Sequence, residues 1–324
     1  MAPRHQETGE PPTTRFVVAL GGNAILRRGD DGTIETQYGR AFKAMEHLVR
    51  LAAAGHALVL THGNGPVVGN IVVRNEAARS TVAPMPLYIA GADSEGGIGL
   101  MLQMALGNAL RKAGVSRDVA TVITQTIVAA GDAAFARPTK PIGPYYSAER
   151  VAALRSAEPD WVFVETPGCG WRRAVASPRP VRIVEAQVIE RLIGAGVIVI
   201  AAGGGGVPVL EAVDGTLRGV DAVVDKDWSS ALLARDVGAD ALVILMEADR
   251  LYSGWGGPAP RAIDRLSVEQ ALELVASGAL ETGSMSPKVA ASAGFVRDTG
   301  RPAVICRVED IDAALRGEAG TRIG

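Results

Sequence analysis

Continuous apolar runs alternate along this chain with stretches whose apolar residues recur at helical spacing, and the alternation predicts an α/β protein. Arg15 to Leu20 (RFVVAL), His56 to Thr61 (HALVLT), Val119 to Val128, Val197 to Ala202 (VIVIAA), Ala241 to Met246 and Ala303 to Cys306 read as strands, several of them buried on both faces. Between them, helices are expected over Tyr38 to Ala53, with Ala41, Met45, Leu48, Val49 and Ala52 on one face, and from just after Pro66. Gly91 to Gly99 (GADSEGGIG) is read as leading into a long helix that ends near Ala113. Further helices begin near Glu185, Ser229, Val268, Val289 and Asp310. Strand, turn and helix in repetition imply an open, mainly parallel sheet, whose strand carboxyl ends share one edge where ligands bind.

Glycine-rich turns close several of those strands. Gly21-Gly22-Asn23 follows the first, His62-Gly63-Asn64-Gly65-Pro66 the second, and Gly203 to Gly206 the run at Val197. These turns should converge, although they are far apart in sequence. The tetraglycine reads as a cradle that lets backbone approach a bulky anion; a solvated loop is its bland alternative. After an Asp214-Gly215 hairpin signal and a second apolar strand come Asp225-Lys226-Asp227, a lysine between carboxylates just ahead of a helix. His62 is read as an orienting group at a strand end, because no nucleophile beside it needs a base.

Composition sharpens the lysine reading. Of 33 basic residues only five are lysine, and three of these lie in loop-like settings: Lys140 in PTKPIGP, Lys226 in VDKDW and Lys288 in GSMSPK. Lysine is a compact charge on a flexible stem, suited to following a phosphoryl group between two oxygens. Lys43 and Lys112 fall on polar helix faces and are read as surface residues. A net charge of −2 excludes recognition of nucleic acid by bulk charge, and Cys169 and Cys306 supply neither a disulfide framework nor a metal spacing. Both are read as inert small hydrophobes. No metal-ligand motif, strict GxGxxG, Walker A sequence or GxSxG elbow is present. The first 14 residues are polar and unlike a signal peptide, and no apolar run approaches the ~20 residues of a membrane helix, so a soluble, cytoplasmic protein with no membrane partner is expected.

The organisation expected is a tail over 1–14, an N-terminal lobe over 15–131, a protruding subdomain over 132–180 and a C-terminal lobe over 181–324. Seven of the 18 prolines fall in the third segment, with Tyr145, Tyr146, Trp161 and Trp171. Lys140 there suggests a mobile arm reaching the site, rather than a rigid connector.

Taken together, ALGGNA (19–24), THGNGP (61–66), PTKPIGPYY (138–146), GWRR (170–173), IAAGGGGVPV (200–209), VDKD (224–227) and GSMSPK (283–288) resemble the carbamate kinases of the amino acid kinase fold family. The resemblance spans about residues 15 to 320. It implies a three-layer αβα sandwich with a mainly parallel central sheet and a small protruding subdomain, a homodimer, and reversible phosphoryl transfer between ATP, with Mg2+, and carbamate. A kinase of another small carboxylate, or a sensing homologue without turnover, are the alternatives. Carried over residue by residue, Gly21, Gly22, Asn23, Gly63 and Asn64 would hold the acceptor. Lys140, Lys226, Asp227 and Lys288 would be catalytic. Gly203, Gly204, Gly205, Gly206, Asp249, Tyr252, Met285 and Lys288 would hold the nucleotide, with no residue assigned to metal. The chain departs from the family pattern at Val67 and Glu95, each in place of Gln, at Met246-Glu247-Ala248-Asp249 in place of TDVD, and at Ser286 in place of Gly. An ionised Glu95 inside the pocket would repel an anionic acceptor. It is read here as opening a helix and pointing away; pairing with a basic residue, or a different acceptor, are the other ways out.

Overall fold

A computed structural model describes residues 13–26, 29–254, 259–280 and 285–324. Residues 1–12 of the expected tail, and Gly283 and Ser284 of GSMSPK, lie outside these, as does the side chain of Asn23.

Eight strands form the central sheet, in the order Arg265–Leu266, Thr321–Ile323, Ala303–Cys306, Ala241–Leu245, Arg15–Leu20, Ala57–His62, Ile198–Ile200 and Val119–Thr121. Every neighbouring pair is parallel except Ala303–Cys306 with Thr321–Ile323. Because side chains alternate across a strand, the apolar runs supply two cores at once. Val17, Ala19, Val59, Val199, Leu242 and Ile244 face one core, shared with the helices Ala186–Gly194, Lys226–Asp236, Val268–Ala276 and Met285–Thr299. Val18, Leu20, Leu58, Leu60, Ile200 and Val243 face the other, shared with Ile34–Ala53, Leu87–Lys112 and Ile311–Leu315. Two helical layers around one sheet make the αβα sandwich. Among the described residues no helix is long and apolar enough to cross a membrane.

Two smaller sheets flank it. Leu217–Gly219, Val207–Glu211, Gln125–Val128 and Pro180–Ile183 form one. Lys140–Tyr146, Gly170–Val175 and Val162–Thr166 form an antiparallel three-stranded sheet that carries the helix Ala148–Ala157. Its core is small: Val151, Leu154 and Phe163, with Tyr146, Trp161 and Trp171 against them. Guanidinium groups cover the aromatic faces, Arg173 lying 3.9 Å from the Trp161 ring centre and Arg155 5.4 Å from that of Trp171. The sheet rests on the helix Gly65–Ala77 through Tyr146 Oη, which donates to Glu76 Oε2 at 2.7 Å.

The structure corrects the sequence reading at four places. The expected strand Val119 to Val128 is two strands in different sheets. Between them Thr124 Oγ1 donates to Val122 O (2.8 Å) and accepts from Ala202 N (2.9 Å), turning the chain from one sheet into the other. Gly91 to Gly99 is not a turn ahead of a helix; it lies inside Leu87–Lys112. A Cβ on Gly99 would sit 2.3 Å from Thr121 Cγ2, so this glycine permits close helix–strand packing rather than a bend. The Ser229 helix begins earlier, at Lys226, with the Asp225 carboxylate accepting from Asp227 N–H at 3.0 Å as its N-cap. Finally, Cys306 is buried, its thiol pushed up to about 12 by burial, but Cys169 is exposed in the turn after Val162–Thr166 and is no core residue.

Candidate active site

The carboxyl ends of Arg15–Leu20 and Ala57–His62 are adjacent in register, Leu20 opposite His62, so their glycine turns meet. Gly63 N–H donates to Leu20 O at 3.0 Å. A Cβ on Gly63 would lie 3.0 Å from Gly22 N and 3.4 Å from Lys226 Cδ, so Gly22 and the lysine stem both stand close to Gly63. Gly21 is the extended residue entering the short 3-10 turn Gly22–Ala24.

Lys226 and Lys288 share a single carboxylate. Lys226 Nζ donates to Asp227 Oδ1, and Lys288 Nζ donates to Asp227 Oδ2 at 2.9 Å. Each lysine opens a helix, Lys226–Asp236 or Met285–Thr299, so both helix N-termini direct their positive ends to this point. All three side chains are nearly buried. Burial alone would raise the Asp227 carboxyl, but the two ammonium charges outweigh it and hold it below the usual carboxylate range. Burial depresses Lys226, with Asp227 opposing that shift and Lys288 adding to it. Two ammonium groups against one carboxylate leave one positive charge without a protein counter-ion in the cluster, which suits an anionic ligand. Lys140, on the first strand of the three-stranded sheet, pairs with Asp225 Oδ2 at 2.9 Å, one residue before Lys226. The three rare lysines therefore come to one place through Asp225-Lys226-Asp227.

The tetraglycine, expected to hold the nucleotide, is tightly packed, with protein atoms in the space a Cβ would need: His62 and Glu95 at Gly203, Asn64 at Gly204, Val224 O at Gly205 and Thr126 at Gly206. Gly204, Gly205 and Gly206 all have positive φ, and Ala202 before them has φ of 50°. Thr126 Oγ1 (2.9 Å) and Ser229 Oγ (2.7 Å) both donate to Gly205 O, which fixes the turn to the Lys226 helix. Gly204 packs against Asn64, whose Nδ2 donates to Ser94 Oγ at 2.8 Å. Asp249 and Tyr252 sit at the end of Ala241–Leu245, where Tyr252 Oη donates to Asp249 Oδ1 at 2.9 Å. Three strand spacings separate the two places, roughly 14 Å. Met285 is half-buried at the start of the Lys288 helix.

Two features have no role in the sequence reading. Asp225 is one; a carboxylate at a helix N-cap is the available signal. Thr61 Oγ1 and Ser230 Oγ are 2.6 Å apart beneath the site, and Ser230 Oγ donates to Lys226 O at 2.6 Å. Glu95 does not point away from a helix end; it is 1% exposed, in the interior of Leu87–Lys112, and Oε1 accepts from Gly203 N–H at 2.8 Å. Among the described residues no basic side chain pairs with it, so the pairing alternative fails there as well. Burial pushes its carboxyl up to about 8. His62 is fully buried, and burial brings it down to about 4, so it is neutral at pH 7.

A mainly parallel αβα sheet, glycine turns at its carboxyl edge and lysines gathered on one aspartate define a phosphotransferase class acting on small carboxylates: the chain belongs to the amino acid kinase family, whose model matches residues 14–307. Its relatives place it among the carbamate kinases of that family. The carbamate kinase of Pyrococcus horikoshii is 43% identical over 311 residues, covering 95% of this chain and 98% of that protein. The carbamate kinase-like protein YahI of Escherichia coli is 44% identical over 309 residues, again covering 95% and 98%. Among solved structures, a carbamate kinase from Giardia lamblia bound to AMP-PNP superposes with a TM-score of 0.91 at 38% identity, covering 96% of this chain and 98% of that one.

Proposed function

We propose that this chain transfers a phosphoryl group reversibly between ATP and carbamate. The observation that carries the reading is the pair Lys226 and Lys288 on Asp227, set against Gly22 and Gly63. Phosphoryl transfer asks the protein for position and positive charge rather than covalent chemistry. In the forward direction a carbamate oxygen attacks the γ-phosphorus in line; the bond from that phosphorus to the ADP oxygen breaks as the new P–O bond forms. Gly21, Gly22, Asn23, Gly63 and Asn64 hold the acceptor. Lys226, nearest the glycine turns, neutralises charge on the transferring group, Asp227 orients both lysines, and Lys288 meets the nucleotide phosphates near Met285. Lys140 reaches in from the three-stranded sheet, and Asp249 and Tyr252 bound the nucleotide side. Mg2+ enters as part of the nucleotide substrate; among the described residues no group of three or more His, Cys, Asp or Glu side chains could hold a metal by itself.

The protein works as a homodimer in the cytoplasm. Ile89, Leu100 and Met104 lie exposed on one face of Leu87–Lys112, at 11- and 4-residue spacings, and that face is the one offered for pairing. A second reading, a kinase of another small carboxylate, rests on Glu95 at the acceptor side. Coupled assays of ATP formation from ADP decide between them. Turnover with carbamoyl phosphate well above that with acetyl phosphate supports the first. Turnover only with another acyl phosphate supports the second, and none with either removes both.

A further inference from the structure

Asn64 stands at the N-cap of the helix Gly65–Ala77, where an asparagine side chain ordinarily accepts from the first backbone N–H groups, and it makes no such bond. Its amide is turned instead to Leu87–Lys112, where Nδ2 donates to Ser94 Oγ at 2.8 Å. Ser94 is fully buried, and its own hydroxyl donates to Gly91 O, 2.7 Å away and one turn back in the same helix. A hydroxyl has one proton to give. With that proton on Gly91 O, Ser94 can meet Asn64 only as an acceptor, so the amide must present its nitrogen rather than its oxygen. The relay from Asn64 Nδ2 through Ser94 Oγ to Gly91 O therefore fixes which way round the amide stands. Gly204 confines it further: a Cβ there would collide with Nδ2, Cγ and Oδ1 of Asn64, so the amide lies against bare backbone. The next residue along the helix, Glu95, accepts from Gly203 N–H at 2.8 Å. Two consecutive helical residues thus hold Asn64 and the glycine turn it packs against. Among the described residues no donor is paired with Asn64 Oδ1, which leaves it and the second amide N–H for a ligand.

We propose that Ser94 is a positioning residue for phosphoryl transfer: by accepting from Asn64 Nδ2 it sets the orientation of the amide that meets the acceptor. This rests on the reading of Asn64 as an acceptor-binding residue. The forgone helix cap points the same way. An asparagine that capped its helix would spend Oδ1 on backbone N–H groups; turned to Ser94, it keeps Oδ1 for the acceptor. Without the Ser94 hydroxyl nothing selects between the two amide orientations, and one hydrogen bond that holds the side chain in place is lost.

The test is a double-mutant cycle of wild type, Ser94→Ala, Asn64→Ala and the double variant, in steady-state kinetics with ADP and carbamoyl phosphate. Ser94→Ala should raise the KM for carbamoyl phosphate about three- to tenfold, the scale of one lost hydrogen bond, while the KM for ADP changes less than about twofold. In the Asn64→Ala background no amide is left to orient, and the same change should raise that KM less than about 1.5-fold. Effects that simply multiply in the double variant, or an equal rise in the KM for ADP, overturn the proposal, because Ser94 would then act through general helix packing. Asn64→Ala separates the proposal from the reading beneath it. If that variant keeps wild-type kinetics, Asn64 does not meet the acceptor and both fail; a large effect there with a silent Ser94→Ala sinks the proposal alone. Thermal melting of the same four proteins needs no turnover. Either single change breaks the same bond, so the Tm loss of the double variant should be smaller than the sum of the single losses. If carbamoyl phosphate is not turned over at all, the acceptor reading has failed and melting alone judges the contact: additive losses refute it, and smaller ones uphold it.

Discussion

The two walls of the candidate site handle buried polarity in opposite ways. On the side of the helices Lys226–Asp236 and Met285–Thr299, charges are kept and balanced: two ammonium groups around Asp227, and Lys140 on Asp225 beside them. On the side of Leu87–Lys112, titratable groups are kept neutral: His62 and Glu95, beneath a backbone turn. A charged wall can follow and neutralise a moving phosphoryl. A neutral wall presents backbone and amide dipoles to a small anion without repelling it. Each wall should fail differently when altered.

The largest effect is expected from Asp227→Asn. It leaves two nearly buried ammonium groups without their carboxylate, and removing one partner of a buried ion pair typically costs about 3–5 kcal/mol. Urea denaturation reads it directly; a loss under about 1 kcal/mol would mean the cluster is far more hydrated than its geometry indicates. Lys226→Ala should separate chemistry from stability on the same wall. Asp227 keeps Lys288, so the fold persists, while kcat falls about 10²- to 10³-fold, the scale for one lost transition-state contact. Wild-type turnover in the folded variant would remove Lys226 from the mechanism.

On the neutral wall, Gly203→Ala drives a methyl against the buried His62 and Glu95, and overpacking of this kind costs about 1–3 kcal/mol. Gly39→Ala is its control. That glycine lies in the exposed interior of Ile34–Ala53 with nothing within 4 Å of the added Cβ, and the change should stabilise by about 0.5–1 kcal/mol. Equal effects at the two glycines would show that the turn is not tightly packed. The smallest effect on stability is expected for Lys140→Met. Lys140 is 36% exposed at its side chain, and such pairs contribute roughly 0–1 kcal/mol, so the melting curve should barely move. A fall in kcat with unchanged stability would keep Lys140 as an arm that serves the reaction; loss of both together would make it a structural tie.

The contrast also separates what could be read early from what could not. Apolar runs that serve both faces of a sheet leave few alternatives to a parallel αβα arrangement, and strand-end glycines announce the binding edge. The scarcity of lysine singled out Lys140, Lys226 and Lys288, and the structure brings all three onto Asp225 and Asp227. These features are local in the chain or follow from composition, so sequence alone determined them. The tetraglycine and Glu95 are the opposite case. A glycine required for space looks the same whether a ligand or a protein side chain fills that space. Helical glycines at Gly91 to Gly99 look like a turn until Thr121 is placed against Gly99. Glu95 looks like a helix-start carboxylate until the helix is seen to begin at Leu87 and the chain from Gly203 is folded over it. Whether that carboxyl carries a charge depends on burial and on a partner 108 residues away in sequence, at Gly203. Only the tertiary structure decided it, because desolvation is set by everything that surrounds a group and by nothing in its own stretch of chain.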